Sequence, residues 1–220
     1  MAQAQPPYHK KNLREKLLRE TARLIAREGV AGVSMRKLSE RLAISRMAAY
    51  HHFADKEALL AAAGQDGFRR LVAKLQDATS ASGPAATRLR AGLRAYLEFA
   101  REESEFFRLM FSDVLDRTDS NAALGDLASF AFSSTDARAA FDTLLAAVKA
   151  CQREGSLRPG EPLLLTNTFW AFTHGIACLA VGRHLKLTQE PEELLDRGLT
   201  ALVAGLQDHH SGSRRPSRPR

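Results

Sequence analysis

The stretch Ser34–Phe53 reads SMRKLSERLAISRMAAYHHF. Ser34 and Ser45 each stand just before a run of helical periodicity, where a serine hydroxyl can accept from a free N–H of the first turn. Leu38 and Leu42 lie one turn apart. Between the two runs only Leu42–Ala43–Ile44–Ser45 remains, which is a tight turn, so two short helices meet at helix-turn-helix spacing. Leu38, Leu42 and Ile44 are placed to pack them together. The second helix, over about 46–52, offers Arg46, Met47, His51 and Tyr50 on its outer face. Such a helix fits the DNA major groove, and the N–H groups at its start, by Ser45 and Arg46, suit a phosphate. An ordinary helical hairpin has the same spacing. On spacing alone the two readings stand level.

The charge distribution bears on that choice. The 220 residues carry 32 Lys and Arg against 25 Asp and Glu, a formal charge of +7. Residues 1–56 hold 12 of the cations and 5 of the anions, residues 57–208 hold 16 and 20, and residues 209–220 hold 4 and 0. The basic excess is therefore concentrated in the first quarter and the tail, where it suits a polyanion. A solvated basic face would look the same. A hydrophobic fraction of 45% excludes wholesale disorder. Two cysteines, Cys151 and Cys178, are too few for a disulfide scaffold and fit a reducing compartment. The first residues show no apolar run after their charges, so no secretory signal is expected and the location expected is the cytoplasm.

Outward from the motif the pattern is helical nearly throughout. No segment alternates with a period of two, so the fold class expected is all-α. Leu13, Leu17, Leu24 and Ile25 line one side of a first helix, about 12–28, stopped by Gly29. Asp55 can cap a fourth helix running toward Asp77, and TSASGP at 79–84 is a loop. A fifth helix carries Leu89, Leu93, Tyr96 and Leu97. Residues 104–115 read as a short apolar helix, 116–134 as the least regular part, and 135–154 as a long helix stopped by Gly155. Two more helices follow, about 161–184 and 191–208, and the tail is disordered by composition. Residues 162–182 hold no formal charge and are long enough to cross a bilayer. Their Thr, Asn and His residues and a mid-span Trp170 instead fit a buried bundle helix, so no membrane partner is expected.

Gly29, Ser34-Met35-Arg36, Ile44-Ser45, Tyr50-His51-His52-Phe53 and Asp55-Lys56-Glu57-Ala58-Leu59-Leu60, taken together, closely resemble the N-terminal domain of TetR-family transcriptional regulators. The resemblance covers about residues 11–70 and is most specific from Ser45 to Leu60. It implies an all-helical homodimer whose N-terminal helices bind a palindromic DNA operator. A variable C-terminal domain would bind a small-molecule effector that releases the DNA. The division implied is 11–71 for the DNA-binding domain, 72–208 for ligand binding and dimerisation, and 209–220 for the tail.

By that resemblance Ser34 and Arg36 match the start of the helix that touches the DNA backbone. Ser45, Arg46, Met47 and Ala48 match the start of the recognition helix. Tyr50 and His51 match its phosphate- and base-contacting face. Lys56, at the next helix N-terminus, matches a phosphate contact. Phe53 matches a core aromatic, while His52 suits a packed or capping imidazole as well as a DNA contact. The chain departs from the family at the turn, where Ala43 stands in place of the usual glycine. If that position needs a left-handed backbone, alanine adds about a kcal/mol of strain. Met47-Ala48 replace a frequent Gly-Thr, and Ala49 replaces a frequent leucine, so the operator sequence does not carry over.

Trp170, His174 and Gly175 form a W-x-x-x-H-G string that resembles the C-terminal domain of the TetR branch named for those letters. Trp170 and His174 share a helix face, and Gly175 allows another helix to come close. The family's dimer interface would fall on 161–184 with 191–208, and Ala177→Arg is expected to place a charge in it. Phe106, Phe107, Met110, Phe111, Phe130, Phe132, Phe141 and Trp170 either line a pocket or are simply core. The lining assigned is Phe107, Met110, Phe111, Phe141, Trp170 and His174, which implies an apolar or aromatic ligand. His174 and Cys178 lie one turn apart, but two ligands do not make a metal site, so no metal or cofactor is expected.

Two other classes of function differ from a regulator in what they require of the sequence. A helical enzyme lacks support, since no P-loop, GxGxxG, GxSxG or HExxH string is present. A basic RNA- or membrane-surface protein would use the tail and first helix. Sequence-preferring, salt-sensitive duplex binding separates it from a regulator.

Overall fold

The computed structural model describes residues 8–112, 135–185 and 190–207. Nine α-helices fall among them: α1 Tyr8–Glu28, α2 Met35–Leu42, α3 Arg46–Tyr50, α4 Lys56–Ser80, α5 Ala85–Glu102, α6 Ser104–Met110, α7 Thr135–Arg153, α8 Pro162–Val181 and α9 Pro191–Gln207. A single 3-10 turn, Val30–Gly32, joins α1 to α2. No strand occurs among the described residues. The irregular stretch 116–134, with Phe130 and Phe132, and the tail 209–220 lie outside the described residues.

Local chemistry sets the helix ends. Ser34 Oγ accepts from Lys37 N at 3.2 Å, Ser45 Oγ from Ala48 N at 3.1 Å and Asp55 Oδ1 from Ala58 N at 2.7 Å. Each satisfies an N–H that has no partner inside its helix. Glu161 does the same for α8, accepting from both Leu163 N and Leu164 N. Three C-termini close with paired bonds of the Schellman type. After α7, Gly155 N bonds Gln152 O at 3.2 Å and Ser156 N bonds Cys151 O at 2.9 Å. After α2, Ala43 N bonds Glu40 O at 3.2 Å and Ile44 N bonds Ser39 O at 3.0 Å. After α8, Arg183 N bonds Ala180 O at 3.1 Å and His184 N bonds Leu179 O at 2.8 Å.

That motif needs one residue in the left-handed region. Gly155 adopts it freely at φ 74°, but Ala43 at φ 52° and Arg183 at φ 57° carry a Cβ into it. The condition attached to Ala43 in the sequence is thus met. Ala43→Gly is expected to raise stability by about 0.5–1 kcal/mol, the strain relieved less the extra freedom glycine brings to the unfolded chain. Urea unfolding measures it, and a lowered midpoint would show that the turn is not strained.

The chain forms two compact units, Met1–Ala73 with Phe99–Phe141, and Lys74–Glu98 with Asp142–Arg220. In the first, Leu17, Leu24 and Ile25 of α1 pack with Val33, Leu38, Ala49, Phe53 and Leu59, and Phe106 and Leu109 of α6 complete the core. The apolar stripe read along α1 is the buried one.

In the second unit α5 is tied to α7 and to α9 by hydrogen bonds. Glu154 Oε2 accepts from Ala85 N at 2.7 Å. Arg94 grips Asp196 through Nε at 2.8 Å and through a terminal nitrogen, and Arg90 donates to Thr200 Oγ1 at 3.1 Å. Gly198 lets α9 close on α8, since a Cβ there would lie 2.0 Å from Cζ of Phe172. Helix α8 alone is long and apolar enough to cross a membrane among the described residues. Leu165, Phe169, Thr173, Ile176 and Ala177 are its buried face. Leu163, Leu164, Ala171, Cys178 and Leu179 are exposed. Ala177 is 0% exposed within the chain itself, so the substitution expected to probe a subunit interface falls in this chain's own packing. A Cβ on Gly175 would meet nothing within 4 Å in this chain. No helix among the described residues makes the close approach that glycine would allow.

Candidate nucleic-acid interface

Helix α3 is five residues long, too short to persist without tertiary support. Ala49 supplies it by burying one side in the core that holds Leu38 and Phe53. The opposite side then faces water. Met47 is 77% exposed and Tyr50 45% exposed. Arg46 and His51 are exposed with them, and Ala48 is half-buried. His52 is also half-buried, its ring edge-on to His51 at 5.8 Å. Lys56 begins α4, one residue past the Asp55 cap. Ser34 and Ser45 both use an oxygen lone pair to cap their helices, which leaves each hydroxyl proton able to donate outward. The structure therefore places Arg46, Met47, Tyr50 and His51 on one exposed turn.

Sequence reasoning missed what aims that turn. Arg41 of α2 pairs with Glu20 of α1, which also accepts from Arg23 at 3.1 Å. Lys37 of α2 pairs with Glu28 of α1. The guanidinium of Arg14 lies 5.2 Å from the Phe53 ring centre, joining α1 to the residues after α3. Glu20 is only 5% exposed. The one signal in the sequence was its position between Leu17 and Leu24 on an apolar stripe, where a carboxylate needs a partner. Arg36 pairs with Glu40 at 3.6 Å. Of the four cations on α2 and α3, Arg46 alone has no ion pair with a described residue.

The Arg41 hydrogen bond holds the Glu20 carboxyl below the usual carboxylate range, against the opposing effect of burial. A carboxyl depressed on folding stabilises the protein above its unfolded value, about 4.3, and loses that contribution as pH falls through the folded value. Glu20→Gln is expected to cost about 1–3 kcal/mol at pH 7, and the gap from wild type should narrow at pH 3. Urea unfolding at both pH values tests this, and an equal gap would mean that the pair adds nothing.

The residues assigned to a pocket divide between the units. Phe107 and Met110 are buried in the first, where Met110 Sδ would lie 2.8 Å from a Cβ on Gly67. Phe111 is partly exposed, its ring 5.0 Å from Phe107 and 5.6 Å from Phe68. Phe141 is buried and also belongs to the first unit. Trp170 and His174 belong to the second, their rings 5.4 Å apart. There His174 Nδ1 is 2.7 Å from the Tyr96 hydroxyl, and its Nε2 is 3.3 Å from Cys178 Sγ. In the sequence Tyr96 shows only as part of an apolar helix face, with Leu89, Leu93 and Leu97. Among the described residues no three His, Cys, Asp or Glu side chains converge as a metal site.

Helices α2 and α3, joined by the tight turn at Ala43, form a helix-turn-helix whose second helix is buried on one side and exposed on the other. Comparison with known proteins agrees. Residues 17–63 match the model for bacterial regulatory proteins of the tetR family, and residues 89–202 match a Tetracyclin repressor-like C-terminal domain. This chain belongs to the TetR family of transcriptional regulators. Among solved structures, a Rhodococcus sp. RHA1 protein of unknown function is 29% identical, covering 92% of this chain and 99% of its own, with a TM-score of 0.72. A TetR-family transcriptional regulator from Pectobacterium atrosepticum is 23% identical, covering 92% and 97%, with a TM-score of 0.65. The TetR-family regulator PfmR of Thermus thermophilus is 20% identical, covering 87% and 98%, with a TM-score of 0.62. No curated protein sequence matches the chain.

Proposed function

We propose that this regulator binds a palindromic operator as a homodimer, acts as a repressor in the cytoplasm, and is released by a small apolar or aromatic effector. Residues 11–71 bind the DNA, and residues 72–208 bind the effector and dimerise. The observation that carries the reading is the exposed turn of α3, with Arg46 and Met47 at its leading end and no carboxylate holding Arg46 back. Arg46 reads a base edge, and Met47 and Ala48 offer apolar contact to a thymine methyl. Ser34, Arg36, Ser45, Tyr50 and Lys56 contact the backbone, with His51 on the base-facing side, and Arg36 exchanges Glu40 for a phosphate. The outward face of α8, open at Ala171 and Gly175, meets its copy in the partner subunit. The family and fold are those of transcriptional regulators rather than enzymes.

Selection of bound sequences from a randomised duplex pool tests the reading. The expected product is an inverted repeat with half-sites about one helical turn apart or a multiple of it, since two-fold protein symmetry is mirrored in the site. An unenriched pool would overturn specific binding, and an enriched site without a repeat would overturn the dimeric mode.

A further inference from the structure

Helix α8 carries a polar cluster along the border between its buried and its exposed sides, with Trp170 and His174 half-buried and Cys178 exposed. Burial keeps the Tyr96 hydroxyl protonated, and the Trp170 indole, which can only donate, hydrogen-bonds to it. The Tyr96 hydroxyl also lies 2.7 Å from His174 Nδ1, and His174 Nε2 lies 3.3 Å from Cys178 Sγ. Trp170, Tyr96 and His174 thereby satisfy one another. Thr173, next to His174 and one turn from Trp170, does not share in this. Its hydroxyl is wholly buried and has no hydrogen-bond partner among the described residues. A helical threonine has a ready acceptor in the carbonyl four residues back. On this same helix Thr166 uses Pro162 O at 2.8 Å and Thr168 uses Leu164 O at 2.9 Å. Thr173 leaves the corresponding bond unmade. A buried hydroxyl without a partner costs stability and calls for an explanation.

We propose that the Thr173 hydroxyl, on the buried side of α8, is the polar anchor of a binding site in the second unit for an uncharged, mainly apolar molecule bearing one carbonyl oxygen. The proposal rests on the reading of the chain as an effector-responsive regulator and names the chemical class of its effector. Thr173 donates to the carbonyl, while Trp170 and Phe169 of the same helix offer apolar surface.

Neutrality follows from the groups present. Burial pushes His174 down and Cys178 up, so both are uncharged at neutral pH. The charged residues flanking Tyr96 on α5 are already engaged, Arg94 by Asp196 and Glu98 by Lys74 at 3.5 Å. A carboxylate entering here would lose its water, and Arg94, the cation nearest Tyr96 along α5, is already taken by Asp196.

Trp170 is the sole tryptophan of the chain, so its emission reports on the cluster directly. The probes are 2-undecanone, undecanoate and undecane, which share a chain length and differ in the head group. 2-Undecanone is expected to change the emission saturably at pH 7.5, with undecanoate at least about tenfold weaker. Thr173→Val should weaken the ketone about tenfold, leave undecane unchanged and make the free protein more stable. Thr173→Ser, which keeps the hydroxyl, should bind the ketone like wild type. Should Thr173→Val fail to fold, Thr173→Ser against Thr173→Ala makes the same comparison. The proposal is overturned if no probe moves the emission, if undecanoate binds as well as the ketone, or if removing the hydroxyl leaves ketone affinity unchanged. Any of these with operator selection intact fails this proposal alone. Absence of operator selection fails the regulator reading, whatever the ketone does.

Discussion

Ala177→Arg is expected to yield no folded second unit, whereas Ala171→Arg is expected to yield folded monomers. The two alanines stand on one helix, less than two turns apart, and face different ways, Ala171 to solvent and Ala177 to the interior. Ala177 is 0% exposed within the chain. An arginine there buries an unpaired charge, about 3–5 kcal/mol, and overpacks its surroundings by about 1–3 kcal/mol more. That total is comparable with the whole stability of a domain, about 5–15 kcal/mol. Ala171 faces solvent, and arginine is a good helix former, so the monomer fold should hold. If α8 meets its copy across a two-fold axis, the same substitution sets two arginines against each other in the interface. Circular dichroism reports the fold and light scattering the mass. A folded Ala171→Arg dimer would remove α8 from the interface, and a folded Ala177→Arg protein would mean that its buried face is wrongly assigned.

Arg46→Ala is expected to cost about 1–3 kcal/mol on the selected operator and to relax preference at one base pair of each half-site. The reason lies in what the neighbouring cations already do. Arg41 and Lys37 are pinned to α1, and Arg36 lies against Glu40. Arg46 starts α3 exposed, without an ion pair to any described residue. Its planar fork can take O6 and N7 of a guanine together. Tyr50→Phe and Lys56→Ala provide the contrast, because phosphate contacts should weaken operator and scrambled duplex alike. Binding of both duplexes at two salt concentrations separates the roles. Equal weakening of both by Arg46→Ala would make Arg46 a phosphate contact.

The interface itself was largely legible from short-range chemistry. Ser34, Ser45 and Asp55 cap within three residues of themselves, and Leu38 with Leu42 announces a helix one turn at a time. The left-handed residue at Ala43 was legible as a condition only through the glycine that the family usually has at this turn. Such features depend on neighbours in the chain, so residue type and spacing specify them.

The features set by packing lie across large sequence separations or on helices without a polar side. Glu20 and Arg41 are 21 residues apart, and Tyr96 and His174 are 78 apart. Many other carboxylate–arginine and tyrosine–histidine pairs in the chain were equally available. The facing of α8 was hidden for a different reason. A helix apolar nearly all round offers no contrast between inside and outside, so Ala177 and Ala171 read alike in the sequence. The same helix shows three threonines of equal standing, yet Thr166 and Thr168 close on their own backbone and Thr173 does not. Residue type and spacing settled the order of the helices, the caps at Ser34, Ser45 and Asp55 and the outward face of α3, while α6 ends at Met110 and not at residue 115. Packing decided which charges were used up in holding that face, which side of α8 was buried and which hydroxyl was left without a partner, because each depends on atoms brought together only by the fold.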